Sequence, residues 1–121
     1  MSKPTVLIVD DIELTRERLT TQLSQDFDVV GQAGSAARAL QLCLELKPQL
    51  VLMDMIMPEV SGVEAIQQIL HQAEVAPRIV ALSGITDERI AAQALAAGAA
   101  EYLIKPIETE KLKSVLRSLV L

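Results

Sequence analysis

The sequence predicts an α/β domain, a five-stranded parallel sheet with five helices, and three observations carry that prediction. Short apolar runs recur along the chain: Val6-Leu7-Ile8-Val9, Leu50-Val51-Leu52-Met53, Ile79-Val80-Ala81-Leu82 and Tyr102-Leu103-Ile104. Continuous runs of this length, bounded by turn or helix signals, read as strands buried on both faces. They alternate with helix-period segments over short connections, which is the pattern of parallel strands joined by right-handed crossovers. Each run is also closed by polar residues: Asp10-Asp11, Asp54, Ser83 and Lys105.

The elements follow in order. Thr5–Asp10 reads as the first strand, and Leu14 to Gln25 as a helix with Leu19 and Leu23 inward. Asp28–Ala33, carrying Val29 and Val30, is the second strand. Ser35 is the N-cap of a helix to about Leu46 that packs Ala39, Leu40, Cys43 and Leu44, and Pro48 prevents its continuation. Gln49–Asp54 is the third strand. Ser61, with Glu64 three residues on, forms a capping-box pattern for a helix to about Gln72 that buries Val63, Ile66, Ile69 and Leu70. Arg78–Ser83 is the fourth strand. Thr86 or Asp87 starts an alanine-rich helix that Gly98 stops. Ala100–Ile104 is the fifth strand, and Glu108 to about Val120 the last helix, with Leu112, Val115, Leu116 and Leu119 on one face.

Composition narrows the function. The 121 residues suit one domain over 1–121, and 50% hydrophobic with 22% charged residues is globular rather than disordered. One Phe and one Tyr cannot supply a base-stacking platform, and a net charge of −5 argues against direct nucleic-acid binding. Cys43 has no second cysteine to pair with, no signal-peptide pattern opens the chain, and no apolar stretch approaches the ~18 residues that span a bilayer. A cytoplasmic protein without membrane contact is the expectation.

Parallel strands align their carboxyl ends at one sheet edge, where open α/β sheets place their sites. Asp10, Asp11, Asp54, Ser83 and Lys105 therefore converge on one crevice. Two unit charges ~5 Å apart at an effective dielectric of ~20 repel by roughly 3 kcal/mol. Three carboxylates together thus call for a proton or a cation. Few carboxylates with open positions suit Mg²⁺ better than a closed calcium cage. The plainer role for Asp10 and Asp11, capping the next helix, does not account for Asp54. Lys105, ending a buried strand, must find an anion or reach solvent, and these aspartates are the nearest anions. His71 reads as solvated, Cys43 as a small core residue, and Met53, Met55 and Met57 as packing.

With these residues in place, the chain resembles the receiver domains of two-component response regulators, of the chemotaxis-receiver type. The motifs are Val9-Asp10-Asp11, Met53-Asp54-Met55-Ile56-Met57-Pro58 followed by Gly62, Ala81-Leu82-Ser83-Gly84, and Tyr102-Leu103-Ile104-Lys105-Pro106. The resemblance implies a doubly wound, flavodoxin-like sheet of order 2-1-3-4-5. It implies that Asp54 is the phosphoacceptor, taking a phosphoryl group from phosphohistidine on a sensor histidine kinase or histidine phosphotransfer protein. Asp11, Asp54 and the backbone carbonyl of Ile56 would bind Mg²⁺, with Asp10 reaching it mainly through water. Lys105 and Ser83 would hold the phosphoryl oxygens. Tyr102 would act with Ser83 as a switch, read by an output protein or domain, or by a homodimer partner, on the face of the fourth helix, fifth strand and fifth helix. A cis Lys105–Pro106 peptide is also implied. The chain departs from many relatives two residues after Asp54 and two after Ser83, where Ile56 and Ile85 replace polar side chains and are expected to tune the rate of phosphoryl loss.

Other classes fit less well. A phosphatase of the haloacid dehalogenase type carries a second Asp where this chain has Ile56. A flavin-binding module needs a Ser-, Thr- or Gly-rich loop where Asp10-Asp11-Ile12-Glu13 would repel phosphate. A phosphorylation-independent docking module has no need of the intact Asp10, Asp11, Asp54, Ser83 and Lys105 set. The sequence thus points to a phosphoacceptor signalling domain that catalyses only its own phosphorylation and dephosphorylation.

Overall fold

A computed structural model describes residues 2–57 and 60–120; Pro58, within one of the sequence motifs, lies outside them. Strands and helices alternate as β1 (Thr5–Val9), α1 (Glu13–Leu23), β2 (Asp28–Ala33), α2 (Ala36–Leu46), β3 (Leu50–Asp54), α3 (Gly62–Gln72), β4 (Arg78–Ser83), α4 (Glu88–Ala97), β5 (Glu101–Ile104) and α5 (Thr109–Val120). All pairings are parallel, and the sheet order is β2-β1-β3-β4-β5. This is the doubly wound arrangement expected. Among the described residues, no helix is long and apolar enough to cross a membrane.

Alternation along the strands sorts the core into two layers. Leu7, Val9, Val51, Met53, Ile79 and Ala81 pack on the face carrying α2, α3 and α4. Val6, Ile8, Leu50, Leu52, Val80 and Leu82 pack on the opposite face with Leu23 of α1, Phe27, and Leu112 and Leu116 of α5. Both faces of the central strands are therefore covered, which is why these strands read as unbroken apolar runs.

The helix ends obey local chemistry. The side chains of Ser35, Ser61 and Asp87 accept the N–H of Arg38, Glu64 and Arg89. Only the serine half of the expected capping box at Ser61 is among the described hydrogen bonds. α2 stops at Lys47, which takes a left-handed φ of 48° ahead of Pro48. α4 stops at Gly98, whose φ of 117° favours glycine.

One packing expectation is corrected. Leu44 is 42% exposed, and Leu42 takes the buried place on α2 beside Ala39 and Cys43. Burial holds the Cys43 thiol high, at about 11, as befits a core residue. Val63 and Leu70 are only partly buried, while Ala65 joins Ile66 and Ile69 in the core.

Candidate functional site

Register brings the polar strand ends together. Val9 lies beside Met53, Asp54 beside Leu82, and Ser83 beside Ile104. The next residues out are therefore Asp10, Asp54, Ser83 and Lys105, all on the carboxyl edge. The hydrogen-bond ladder continues past the strands and fixes their backbone. The Asp10 N–H donates to the Ala33 carbonyl (3.0 Å), the Met55 N–H to Leu82 (3.0 Å) and the Lys105 N–H to Ser83 (2.8 Å).

One carboxylate oxygen each from Asp10, Asp11 and Asp54 lies within 4.8 Å of the others. Asp10 and Asp54 are buried, whereas Asp11 is exposed. The Lys105 ammonium stands 3.0 Å from Asp10 Oδ2 and 3.7 Å from Asp54 Oδ1. It thus pairs chiefly with Asp10. Three carboxylates against one ammonium leave a net charge of about −2 in a partly desolvated pocket, which a divalent cation balances. The donors are all hard oxygens, a set that fits Mg²⁺ or Ca²⁺ rather than a soft metal. Burial pushes the Asp54 carboxyl above the ordinary aspartate range. The Ile56 N–H and Lys105 pull it back, while Asp10 and Asp11 push it further up.

Three strand-end side chains share one local motif. Asp10 Oδ1 accepts the N–H of Ile12 (2.9 Å), Asp54 Oδ1 that of Ile56 (3.1 Å), and Ser83 Oγ that of Ile85 (3.1 Å). The Asp10 bond closes a local turn ahead of α1, whose N-cap residue is Ile12 and which has no side-chain cap among the described residues. The helix-capping role considered for Asp10 is therefore not realised, and its second oxygen pairs with Lys105. Ser83, fully buried, keeps its own proton for another acceptor. Gly84 beside it leaves open space, as nothing lies within 4 Å of where a β-carbon would stand. At Gly62, by contrast, a β-carbon would fall 2.7 Å from the Met55 Cα, so the loop after Asp54 lies tight against the start of α3.

Two features were not legible in the sequence. The Tyr102 hydroxyl donates to the Ile85 carbonyl at 3.0 Å, so Ser83, Ile85 and Tyr102 form one hydrogen-bonded chain. Arg16 Nη1 donates to the Asp10 carbonyl at 2.7 Å, a contact from α1 that no strand pattern signals. The Lys105–Pro106 peptide is cis, as the resemblance implied. His71 is exposed near the end of α3, and Met53, Met55 and Met57 are buried in the core.

The family profile of the response regulator receiver domain matches residues 6–117. The chain belongs to the response regulator receiver domain family. An uncharacterized response regulatory protein of Shewanella oneidensis is 38% identical to this receiver over 115 residues, 93% of the chain and 47% of that protein. The chemotaxis protein CheY of Thermotoga maritima is 31% identical over 112 residues, 92% of each chain. Among solved structures, the signal receiver domain of the putative response regulator NarL from Mycobacterium tuberculosis superposes with a TM-score of 0.91. It is 31% identical, with 99% of this chain and 98% of that one covered. The receiver spans about half the length of the first curated relatives it matches. Receiver domains are the phosphorylation-dependent switches of two-component systems. They generally bind Mg²⁺ at an acidic pocket and work with histidine kinases and output domains.

Proposed function

We propose that Asp54 is the phosphoacceptor of this receiver, charged from a phosphohistidine on a sensor histidine kinase or phosphotransfer protein. The observation that carries this reading is the cluster of Asp10, Asp11 and Asp54 around the Lys105 ammonium at the carboxyl edge of the sheet. An Asp54 carboxylate oxygen attacks phosphorus, the P–N bond to the donor imidazole breaks, and its electron pair stays on the imidazole nitrogen. Asp54 Oδ1 is held by the Ile56 N–H, so the carboxylate is aimed before the donor arrives. Lys105 and the Ser83 hydroxyl stabilise charge on the phosphoryl oxygens, where phosphoryl transfer needs it most.

Asp11, Asp54 and the Ile56 carbonyl are the residues that would hold Mg²⁺. Both oxygens of Asp10 already have partners, Ile12 N–H and Lys105, which suits contact through water. When bound, the cation supplies the charge neutralisation that lets a phosphoryl group approach these aspartates. Hydrolysis reverses the modification: water attacks phosphorus, phosphate leaves and the carboxylate returns.

Output passes through the chain from Ser83 to Ile85 to Tyr102. Drawing the Ser83 hydroxyl to a phosphoryl oxygen competes with its bond from Ile85, and Ile85 holds the Tyr102 hydroxyl. Tyr102 and Ile104 line a groove with Thr86, Asp87 and Ala91 between α4 and β5. An output protein or domain, or a second copy of the chain, reads this face together with α5.

Phosphoramidate, a small donor with the same P–N linkage, tests the reading by intact mass. One phosphoryl group is expected with Mg²⁺ and none when EDTA replaces it. An unchanged mass under both conditions overturns it.

A further inference from the structure

Arg16 is a cation at an acidic site with no acidic partner. Among the described residues, no carboxylate lies within ion-pair distance of its guanidinium, although three aspartates stand at the end of β1 and β3. Nη1 donates instead to the backbone carbonyl of Asp10 at 2.7 Å, a short charge-assisted bond. Among the described residues Nε is buried without a hydrogen-bond partner, so the Asp10 bond and packing set the orientation. The packing comes from the loop after β2. A β-carbon at Gly34 would lie 3.1 Å from Nη1, 3.7 Å from Cζ and 4.0 Å from Nη2. The guanidinium thus rests on the bare backbone of Gly34.

Arg16 is also tethered from behind. Its backbone carbonyl accepts the Thr20 hydroxyl at 2.8 Å, and Thr20 Oγ1 accepts the amide of Gln32 on β2 at 3.0 Å. The Asp10 carbonyl belongs to the same planar peptide as the Asp11 N–H. Fixing that oxygen fixes the plane from which Asp11 departs. Asp11 is exposed and, unlike Asp10, has no described side-chain hydrogen bond of its own.

We propose that Arg16 is the positioning residue of the acidic pocket, holding the Asp10–Asp11 peptide so that the Asp11 carboxylate stays turned toward Asp54. The inference rests on the reading of Asp10, Asp11 and Asp54 as the Mg²⁺ site and adds a residue of α1 to its supporting shell. Such outer contacts govern metal affinity through the ligands they orient.

Positioning and simple charge predict opposite signs. A nearby cation repels Mg²⁺, so removing Arg16 as a mere charge tightens binding. Removing it as a positioner weakens binding. The experiment is a MgCl₂ titration of the ¹⁵N-labelled chain followed by amide shifts, on wild type, Arg16→Gln and Arg16→Lys. Arg16→Gln is expected to weaken Mg²⁺ by roughly tenfold or more, the usual effect of losing an outer-shell partner. Arg16→Lys keeps the charge but not the flat fork over Gly34, and is expected to weaken Mg²⁺ by a smaller factor, above about twofold. The labelling rate by phosphoramidate at fixed, subsaturating Mg²⁺ is expected to fall in Arg16→Gln and to rise again as MgCl₂ is raised, as a displaced Mg²⁺ ligand requires. Unchanged or tighter Mg²⁺ binding in folded Arg16→Gln overturns the proposal. If that variant does not fold, unchanged affinity in Arg16→Lys overturns it. A wild-type chain that binds no Mg²⁺ overturns the site reading itself, whatever the variants do.

Discussion

Ile12, Ile56 and Ile85 occupy equivalent places, each two residues beyond a polar strand end and each giving its N–H to that side chain. The backbone does the bonding, so the isoleucine side chains are free to face outward, and they are 56%, 51% and 41% exposed. An apolar rim at Ile56 and Ile85 offers no hydrogen bond to a water attacking the aspartyl phosphate. Slow phosphoryl loss is the expected result. Ile56→Asn and Ile85→Glu should speed loss with Mg²⁺ present by about tenfold, short of the ~100-fold a positioned proton-transfer group contributes. The check is the decay of intact-mass labelling after the donor is removed, and wild-type loss as fast as both variants contradicts shielding. At this scale the sequence was most legible where strand position alone fixes a side chain, as for Asp10, Asp54, Ser83 and Lys105. Arg16 and the Tyr102–Ile85 bond were hidden because they depend on how a long side chain and a loop carbonyl meet across separate elements.

Among the elements, α5 is fastened to the turn between α1 and β2 by charge as well as by Leu112 and Leu116. Lys113 is buried, yet its Nζ reaches Asp26 Oδ2 at 2.7 Å, and Arg117 lies 3.4 Å from Asp26 Oδ1. A lysine on a buried face defies periodicity, but its aliphatic stem packs while its head emerges at Asp26. The hydrogen bond from Lys113, with Arg117 adding its charge, holds the Asp26 carboxyl below its ordinary value of 3.8. A lowered folded-state pKa stabilises the fold above the ordinary value and loses that effect as pH falls through the lowered one. Asp26→Asn should therefore lower the urea midpoint at pH about 7 and converge with wild type at pH about 2. An equal gap at both contradicts the clamp. The end of α4 carries a second expectation. An alanine at Gly98 meets both the left-handed φ and the Leu70 Cδ1, which stands where its β-carbon would go. Gly98→Ala should cost about 1–2 kcal/mol from the backbone alone, seen as a melting temperature lower by roughly 5 °C or more. An unchanged melting temperature contradicts it. Helix starts at Ser35, Ser61 and Asp87 and the stop at Gly98 were readable because capping is local. The inward phase of α2, with Leu42 rather than Leu44 buried, was not, because both leucines fit an apolar stripe until the sheet beneath is placed.

For the whole molecule, a single register decides where the chemistry sits. The central strands β1, β3 and β4 are buried on both faces, whereas the edge strand β5 is only partly buried where its apolar run had suggested full burial. Together they bring Asp10, Asp54, Ser83 and Lys105 to one edge, and the Ser83–Ile85–Tyr102 chain leads from there to the groove between α4 and β5. Occupying the acceptor is expected to bias that chain. Beryllofluoride with Mg²⁺, a phosphoryl mimic, should therefore shift amides at Ile85, Tyr102 and along α4, and shifts confined to the loops around Asp10 and Asp54 contradict the route. The central claim is simpler, that the converging charges serve one nucleophile, Asp54. Its direct measurement is the intact mass of wild type and Asp54→Asn after incubation with acetyl phosphate and Mg²⁺. Wild type is predicted to gain one phosphoryl group and Asp54→Asn none; equal labelling of the two contradicts the account.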